Sequence, residues 1–435
     1  MGTGEHSLTR GYIAAMSGVE LTPEDEAMLA GRRGDGTRLA MSIIVRTAAV
    51  QGARRLRSVT GAHIDSCLYH GRAGLDFARR LVAGGARVSI PTTLNVSSLD
   101  LLHPHLYRGD AATAAEARNL MDLYVEMGCR ATWTCAPYQL VDRPTFGEHV
   151  AWAESNAIVF CNSVIGARTD RYGDFIDICA AVTGRVPDAG LHRSENRKAT
   201  LLFRLDAVGA DHLLDEDAFY PVLGHLIGRR SGHEVPAIEG LPAAVSEDRL
   251  KALGAAAASS GAVGLFHAIG ITPEAPSLDA VAAGSVETID VGRAMLRTAR
   301  DELTSTGRTD VTTVSLGTPH ASLDELARIA TLFGNDRVHD NVDFYVSTAR
   351  DVLARAEDAS VAGALRRVGV QVVTDTCTYI TPILKKRNGV AMTDSAKWAW
   401  YAPGNLGVEV IFATTRECVR SGIEGRVWRD TGIWN

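Results

Sequence analysis

Missing from this 435-residue chain is any Cys-x-x-Cys pair, although it carries seven cysteines. That excludes zinc-ribbon and ferredoxin spacings, and an odd cysteine count in so long a chain is no disulfide framework. Neither Gly-x-x-x-x-Gly-Lys-Ser/Thr nor Gly-x-Gly-x-x-Gly stands between a strand and a helix, which argues against a P-loop or a standard nicotinamide fold. Excess charge is missing too: a net charge of −6 gives no broad reason to expect nucleic acid or an anionic membrane. The apolar run from Gly254 to Ile271 is rich in Gly and Ala and interrupted by polar groups, so no transmembrane span is expected. Met1 to Arg10 is polar and lacks the apolar core of a signal peptide. Together these absences imply a cytoplasmic protein with reduced thiols and neither a nucleic-acid nor a membrane partner.

What is present is a repeated order of helix, glycine, strand and polar loop. A helix over Thr113 to Met127 leads through Gly128 into an extended Cys129 to Thr134, which places Cys135 at a strand tip. Pro137 then discourages a continuing ladder. The plan returns as a helix ending at Val368, a turn at Gly369, a strand Val370 to Val373, and Thr376-Cys377 beyond. A third instance runs from a helix over Ala73 to Ala83 through Gly84-Gly85 to a strand Ala86 to Ile90 and a loop Pro91 to Asn95. From Val311 the pattern reads βαβαβ: strand to Leu316, loop Gly317 to Ser322, helix Asp324 to Leu332, strand Val342 to Val346, one or two helices over Ala349 to Val368, then the strand from Val370. Such connections suit a parallel sheet. The expected class is α/β, with stacked α/β units and parallel sheets. Two domains are expected, a discontinuous one of residues 1–225 plus 376–435, and a second of residues 226–375.

Ligands of open α/β sheets gather outside the carboxyl ends of the strands. The two Thr-Cys pairs are therefore expected to bring Cys135 and Cys377 to one metal or cluster site. Cys67, in Gly61-Ala-His-Ile-Asp-Ser-Cys67, lies in a similar polar loop, whereas Cys129 and Cys179 read as packing. Three dispersed cysteines fit an iron–sulfur cluster that leaves an iron open to substrate. The rival is a thiol nucleophile paired with His63, His149, His192 or His320. Asn162, Ser163, Arg168 and Thr169 are suited to a carboxylate, Arg168 bidentately. The plainer reading has Asn162 and Ser163 satisfying a turn and Lys397 on the surface.

Longer phrases carry a resemblance. They include Gly61 to Cys67, Pro91-Thr-Thr-Leu-Asn95, Thr134-Cys-Ala-Pro-Tyr138, Phe146 to Ser155, Asn162 to Thr169, Gly317-Thr-Pro-His-Ala-Ser322, Asp375-Thr-Cys377 and Asp394-Ser-Ala-Lys397. In this order they resemble aconitase X, the divergent branch of the aconitase superfamily, over nearly the whole chain. The resemblance implies an aconitase-like multi-domain architecture and a dehydratase. One branch dehydrates cis-3-hydroxy-L-proline, giving pyrroline-2-carboxylate, and the other mevalonate 5-phosphate. Phrases around Cys67, Trp133 to Leu140 and Asp170 to Cys179 look like the first. The second branch carries a third cluster cysteine where this chain has Thr318. The resemblance therefore implies Cys67, Cys135 and Cys377 as ligands of an iron–sulfur cluster, [2Fe–2S] ahead of [3Fe–4S] or [4Fe–4S]. It also implies that Asn162, Ser163, Arg168, Thr169 and Lys397 orient substrate, with Lys397, His149 and Glu148 as catalytic candidates. A small swivelling domain or subunit, supplying a catalytic serine, is expected as partner, since no segment of this chain looks like one.

Overall fold

Three parallel sheets organise the computed structural model, which describes residues 18–208, 212–430 and 432–434. The polar start Met1 to Arg10 lies outside the described residues. In the first unit the strand Ala62–Ile64 runs between Thr92–Leu94 and Ala151–Trp152, both parallel to it. A separate antiparallel pair, Leu56–Ser58 with Arg185–Pro187, closes its flank. The second unit carries His267–Ala268, Pro236–Glu239, Ala199–Arg204 and Ala282–Asp290 in that order, all parallel. The third is a five-stranded parallel sheet ordered Val370–Val373, Asp343–Thr348, Val311–Ala321, Val390–Thr393 and Glu409–Phe412. The α/β class and the parallel βαβαβ run are as the sequence implies.

Local chemistry explains most boundaries. Thr22 and Asp25 form a reciprocal capping box on the helix Pro23–Leu29, and Ser322 with Glu325 does the same for Leu323–Phe333. Ser360, in the left-handed region at φ 62°, divides Arg350–Asp358 from Val361–Val368, giving a pair of helices. Gly369, at φ 97°, turns the chain into Val370–Val373.

Several expected elements shift. The segment Ala86 to Ile90 forms no strand; Val88 and Ser89 donate instead to the carbonyls of Met127 and Ala181. The strand is Thr92–Leu94, read from sequence as loop, because Ala62 donates to Pro91 O and Asn95 to Ile64 O. Cys129 to Thr134 runs beside that strand without completing a ladder. Arg130 donates to Thr92 O and Thr134 to Leu94 O, but between them the Thr132 hydroxyl takes the place of backbone, accepting from Leu94 N. Trp133, at φ 45°, turns the backbone there.

The units also divide differently from the two expected blocks. The boundary at residue 226 falls inside the helix Phe219–Ser231. The strands Val390–Thr393 and Glu409–Phe412 join the sheet of residues 311–373, not the first unit, through parallel pairs such as Val314 with Met392. Segment 377–384 and the helix Ala396–Leu406 pack Cys377, Tyr379, Ile383, Leu384 and Trp398 into the core built by the second unit. Among the described residues no helix is long and apolar enough to cross a membrane.

Candidate functional site

The carboxyl ends of the first and third sheets meet. Cys135 emerges from the first, while His320, near the end of Val311–Ala321, and Cys377, beyond Val370–Val373, come from the third. One donor atom of each lies within 4.8 Å of the other two, and all three residues are buried. The His320 backbone N–H donates to the Cys135 sulfur at 3.2 Å. Its imidazole lies 3.2 Å from the Thr134 hydroxyl through Nδ1 and 3.1 Å from the Thr376 carbonyl through Nε2, so the threonines of both Thr-Cys pairs fix one ring. Burial pushes His320 down to about 4, leaving a neutral imidazole able to serve as a ligand. Hydrogen bonding to Cys135, then burial, push the Cys377 thiol up, while Lys397 pulls it down.

Both cysteine loops are bent in the same way. A non-glycine residue in the left-handed region stands two positions before each cysteine: Trp133 at φ 45° and Asp375 at φ 62°. Such residues cost of order 1–3 kcal/mol and persist where surroundings over-determine them. Here Arg350 Nη2 and Nε grip the two oxygens of Asp375 at 2.7 and 2.8 Å. Ser97 donates to Asp375 O at 2.7 Å, and Asp100 accepts from Thr374 N at 2.8 Å and from the Thr374 hydroxyl at 2.9 Å. These bonds tie the Cys377 loop to the first unit.

Lys397 is not on the surface. It is 4% exposed and pairs with Glu154, equally buried, with the Ser155 hydroxyl 3.3 Å away. Burial alone would neutralise both, but each holds the other charged: Glu154 keeps the ammonium well above its usual range, and Lys397 keeps the carboxylate below its own. The pair joins the first unit to the third. A cavity of about 410 Å³ reaches Lys397, Ser395, Thr318 and Pro319.

Cys67 stands apart. It belongs to the first unit's core, its thiol donating to the Ile64 carbonyl at 3.3 Å, and burial pushes that thiol well up. The donor group gathers Cys135, Cys377 and His320 instead, with His320 in the place that sequence reasoning gave to Cys67.

The expected carboxylate-binding residues are committed to the fold. Asn162 donates to Thr169 O and Gly264 O, and its Oδ1 accepts from Thr169 N and from Arg197 Nη1. Ser163 Oγ accepts from Phe266 N, and the Thr169 hydroxyl bonds both N–H and C=O of Trp152. Arg168 donates to Ser194 Oγ and His192 O, with Glu274 3.7 Å away. Glu148 accepts from Thr60 and Thr145 near the surface. His149 lines a separate cleft with Arg57, Arg168, Asp188 and His192. Arg197, which the sequence marks only as the end of the phrase Glu195-Asn-Arg197, is 3% exposed and braces this region through Asn162, Leu191 O and Glu274.

An α/β protein with a buried two-thiol, one-imidazole centre between two parallel sheets is thus defined. Family models for the aconitase X first, second and third domains match residues 18–195, 199–301 and 311–424. The chain belongs to the aconitase X family. It is 44% identical over 419 residues to a cis-3-hydroxy-L-proline dehydratase of Pseudomonas aeruginosa, covering 95% of this chain and 72% of that protein. It is 35% identical over 406 residues to a phosphomevalonate dehydratase large subunit of Methanothermobacter thermautotrophicus, covering 92% and 98% respectively. The crystal structure of Thermococcus kodakaraensis aconitase X in its holo-form superposes with a TM-score of 0.83 at 32% identity, over 93% of this chain and 100% of that one.

Proposed function

We propose that this chain is the centre-bearing part of a hydro-lyase that removes water from cis-3-hydroxy-L-proline, giving pyrroline-2-carboxylate. The observation that carries the reading is the 44% identity to the Pseudomonas enzyme across nearly the whole chain. A second cis-3-hydroxy-L-proline dehydratase, from Hypocrea jecorina, is 41% identical over 413 residues. The buried Cys135–His320–Cys377 group supports a metal-dependent mechanism. Two thiols and a neutral imidazole suit an iron–sulfur cluster, and a small one, [2Fe–2S] ahead of [3Fe–4S] or [4Fe–4S], is our reading. Bound with an open iron, it supplies Lewis acidity toward a hydroxyl. Lys397 places a fixed positive charge beside Cys377, opposing the rise of its thiol, and orients Glu154 and Ser155 at the same edge.

A small swivelling subunit is the partner we expect. The chain matches 98% of a protein whose name marks it as a large subunit, which supports that arrangement. The 35% identity to that phosphomevalonate dehydratase makes mevalonate 5-phosphate the second substrate candidate. The test is anaerobic purification with the partner, iron and acid-labile sulfide analysis, and assay of both substrates. Dehydration of cis-3-hydroxy-L-proline with iron and sulfide present is expected; no turnover of it by an intact, metal-loaded complex refutes the reading.

A further inference from the structure

Beside the Cys135–His320–Cys377 group, the first sheet carries polar groups that the fold leaves unfinished. Asp65, Asn95 and Glu154 stand within two residues of the ends of Ala62–Ile64, Thr92–Leu94 and Ala151–Trp152. These strands are parallel neighbours, and the segment leading to Cys135 runs beside Thr92–Leu94. All four side chains therefore emerge at one carboxyl edge, where an α/β sheet binds its ligand.

Glu154 is paired there with Lys397. Asp65 is not. Its Oδ1 accepts from the Asn95 amide, and among the described residues no hydrogen bond engages Oδ2. The side chain is partly accessible, and its backbone is pinned by Asp177, which accepts from the N–H groups of Asp65 and Ser66 at 2.7 and 2.9 Å. Two more polar atoms of the group are buried without a partner, His63 Nε2 and Asn95 Oδ1, on residues 0% and 2% exposed. An unsatisfied buried polar atom costs roughly 1–3 kcal/mol. The open Asp65 oxygen, beside two buried atoms that make no well-formed hydrogen bond among the described residues, marks a place for a ligand bearing a hydroxyl or N–H group.

We propose that Asp65, oriented by Asn95, is the catalytic acid of the elimination, giving its proton to the hydroxyl that leaves; this rests on the hydro-lyase reading above. The C3–O bond breaks as the oxygen takes the Asp65 proton and departs as water. The C2–H bond breaks, and its electron pair forms the C2=C3 double bond. In cis-3-hydroxy-L-proline that hydrogen and the hydroxyl lie on opposite ring faces, so its proton passes to a base on the other face and then to solvent. Solvent reprotonates Asp65, and the enamine tautomerises to pyrroline-2-carboxylate, leaving substrate minus water.

Charge around Asp65 supports a proton donor. Burial, then the Glu154 carboxylate, push its carboxyl up to about 7, with Asp177 and Asp174 adding to the rise and Asn95 opposing it. His63 adds no charge, because burial holds it down at about 4. A group that keeps its proton near the working pH is suited to give it up in the transition state.

The test is Asp65→Asn in the complete enzyme with its partner, on cis-3-hydroxy-L-proline and on the cis-3-fluoro analogue, whose fluoride needs no proton to leave. Dehydration should fall about 10²–10⁴-fold, fluoride release should be largely kept, and iron content should not change. Equal loss on both substrates, or an unaltered rate on the hydroxy compound, overturns the proposal. Asn95→Ser is the second variant: losing the amide that favours ionisation should move the alkaline limb of kcat to higher pH, and an unmoved limb counts against Asp65. Should the parent turn over neither compound, the cis-3-hydroxy-L-proline reading fails by itself. Infrared titration of aspartate-labelled protein then reads Asp65 directly, through a protonated carboxyl that ionises near pH 7 and is absent from Asp65→Asn; a parent without that band overturns the assignment.

Discussion

Two clusters of titratable groups lie in the first unit, and the fold finishes only one of them. In the cleft at His149 and His192, every ring nitrogen has a protein partner. Arg57, which can only donate, lies 3.3 Å from His149 Nε2; that leaves the proton of His149 on Nδ1, donated to His192 Nδ1 at 2.9 Å. His192 in turn donates through Nε2 to the Tyr172 hydroxyl. Arg57 also bonds Asp188, which the antiparallel pair Leu56–Ser58 and Arg185–Pro187 brings alongside. At the sheet edge near Cys135, by contrast, His63 Nε2 and Asn95 Oδ1 are buried without a well-formed hydrogen bond among the described residues, and no hydrogen bond there engages one oxygen of Asp65. Burial lowers the histidines of both clusters, to about 4 for His149 and His63 and about 3 for His192. A depressed histidine therefore does not separate structure from function here. Unfinished hydrogen bonding does.

The largest break in this comparison comes from the donor group. Cys135→Ser and Cys377→Ser should each abolish metal retention and turnover, more than the roughly 10–100-fold loss expected of a change outside the ligands. Cys67→Ser should leave the metal in place, because its thiol bonds only backbone carbonyls of its own unit. Metal analysis of the three variants decides it, and metal lost from Cys67→Ser as well would restore the ligand set expected from sequence.

Next in size is Lys397→Met. It strands Glu154 as a buried, unpaired carboxylate between two units, which typically costs about 3–5 kcal/mol. Denaturant unfolding should show a lower midpoint, and Glu154→Gln combined with Lys397→Met should recover much of the loss. A single variant as stable as the parent would mean that water already reaches the pair.

Acid should act on both clusters alike. His63, His149, His192 and His320 all have folded-state values below the usual 6.5. The unfolded chain therefore binds more protons below about pH 6.5, so the stability these groups contribute is present above that value and is lost as pH falls toward 4 and 3. Thermal midpoints should decline over that window. His192→Gln should flatten the decline by removing one of the four groups, and an unchanged slope would show that His192 is charged in the folded state.

Much of this was legible in the sequence, for a physical reason. Helix, glycine and β-branched runs mark where parallel strands end, and strand ends are where an α/β fold concentrates ligands. Cys135 and Cys377 can thus be paired across 241 intervening positions by reading two Thr-Cys phrases alike. What stayed hidden is the third dimension of the same rule. His320 lies within a strand that runs on to Ala321, where sequence suggested a loop from Gly317. Thr92–Leu94 reads as loop because its pairing with Ala62–Ile64 is invisible to local propensity. Asp65 and Glu154 stand out only as members of polar stretches, although each follows a strand, and Asn95 as the end of a loop. Cys67 shared their phrase, yet three positions past Ile64 its side chain turns back into the core.

The smallest expected effect is the sharpest for the comparison. Arg168 was the sequence's preferred carboxylate partner, and in the fold it serves Ser194, the His192 carbonyl and Glu274 in the finished cluster. Its ion pair is long, at 3.7 Å, and part-exposed, so Arg168→Ala should cost no more than about 1 kcal/mol in stability. Because none of its contacts reaches Cys135, Cys377 or Lys397, KM for the hydroxy acid should change less than about threefold, against the tenfold that each 1.4 kcal/mol of lost binding would give. A KM raised a hundredfold with metal content unchanged would place the substrate carboxylate in the His149–His192 cleft. The two clusters would then be parts of one site that closes only with substrate bound.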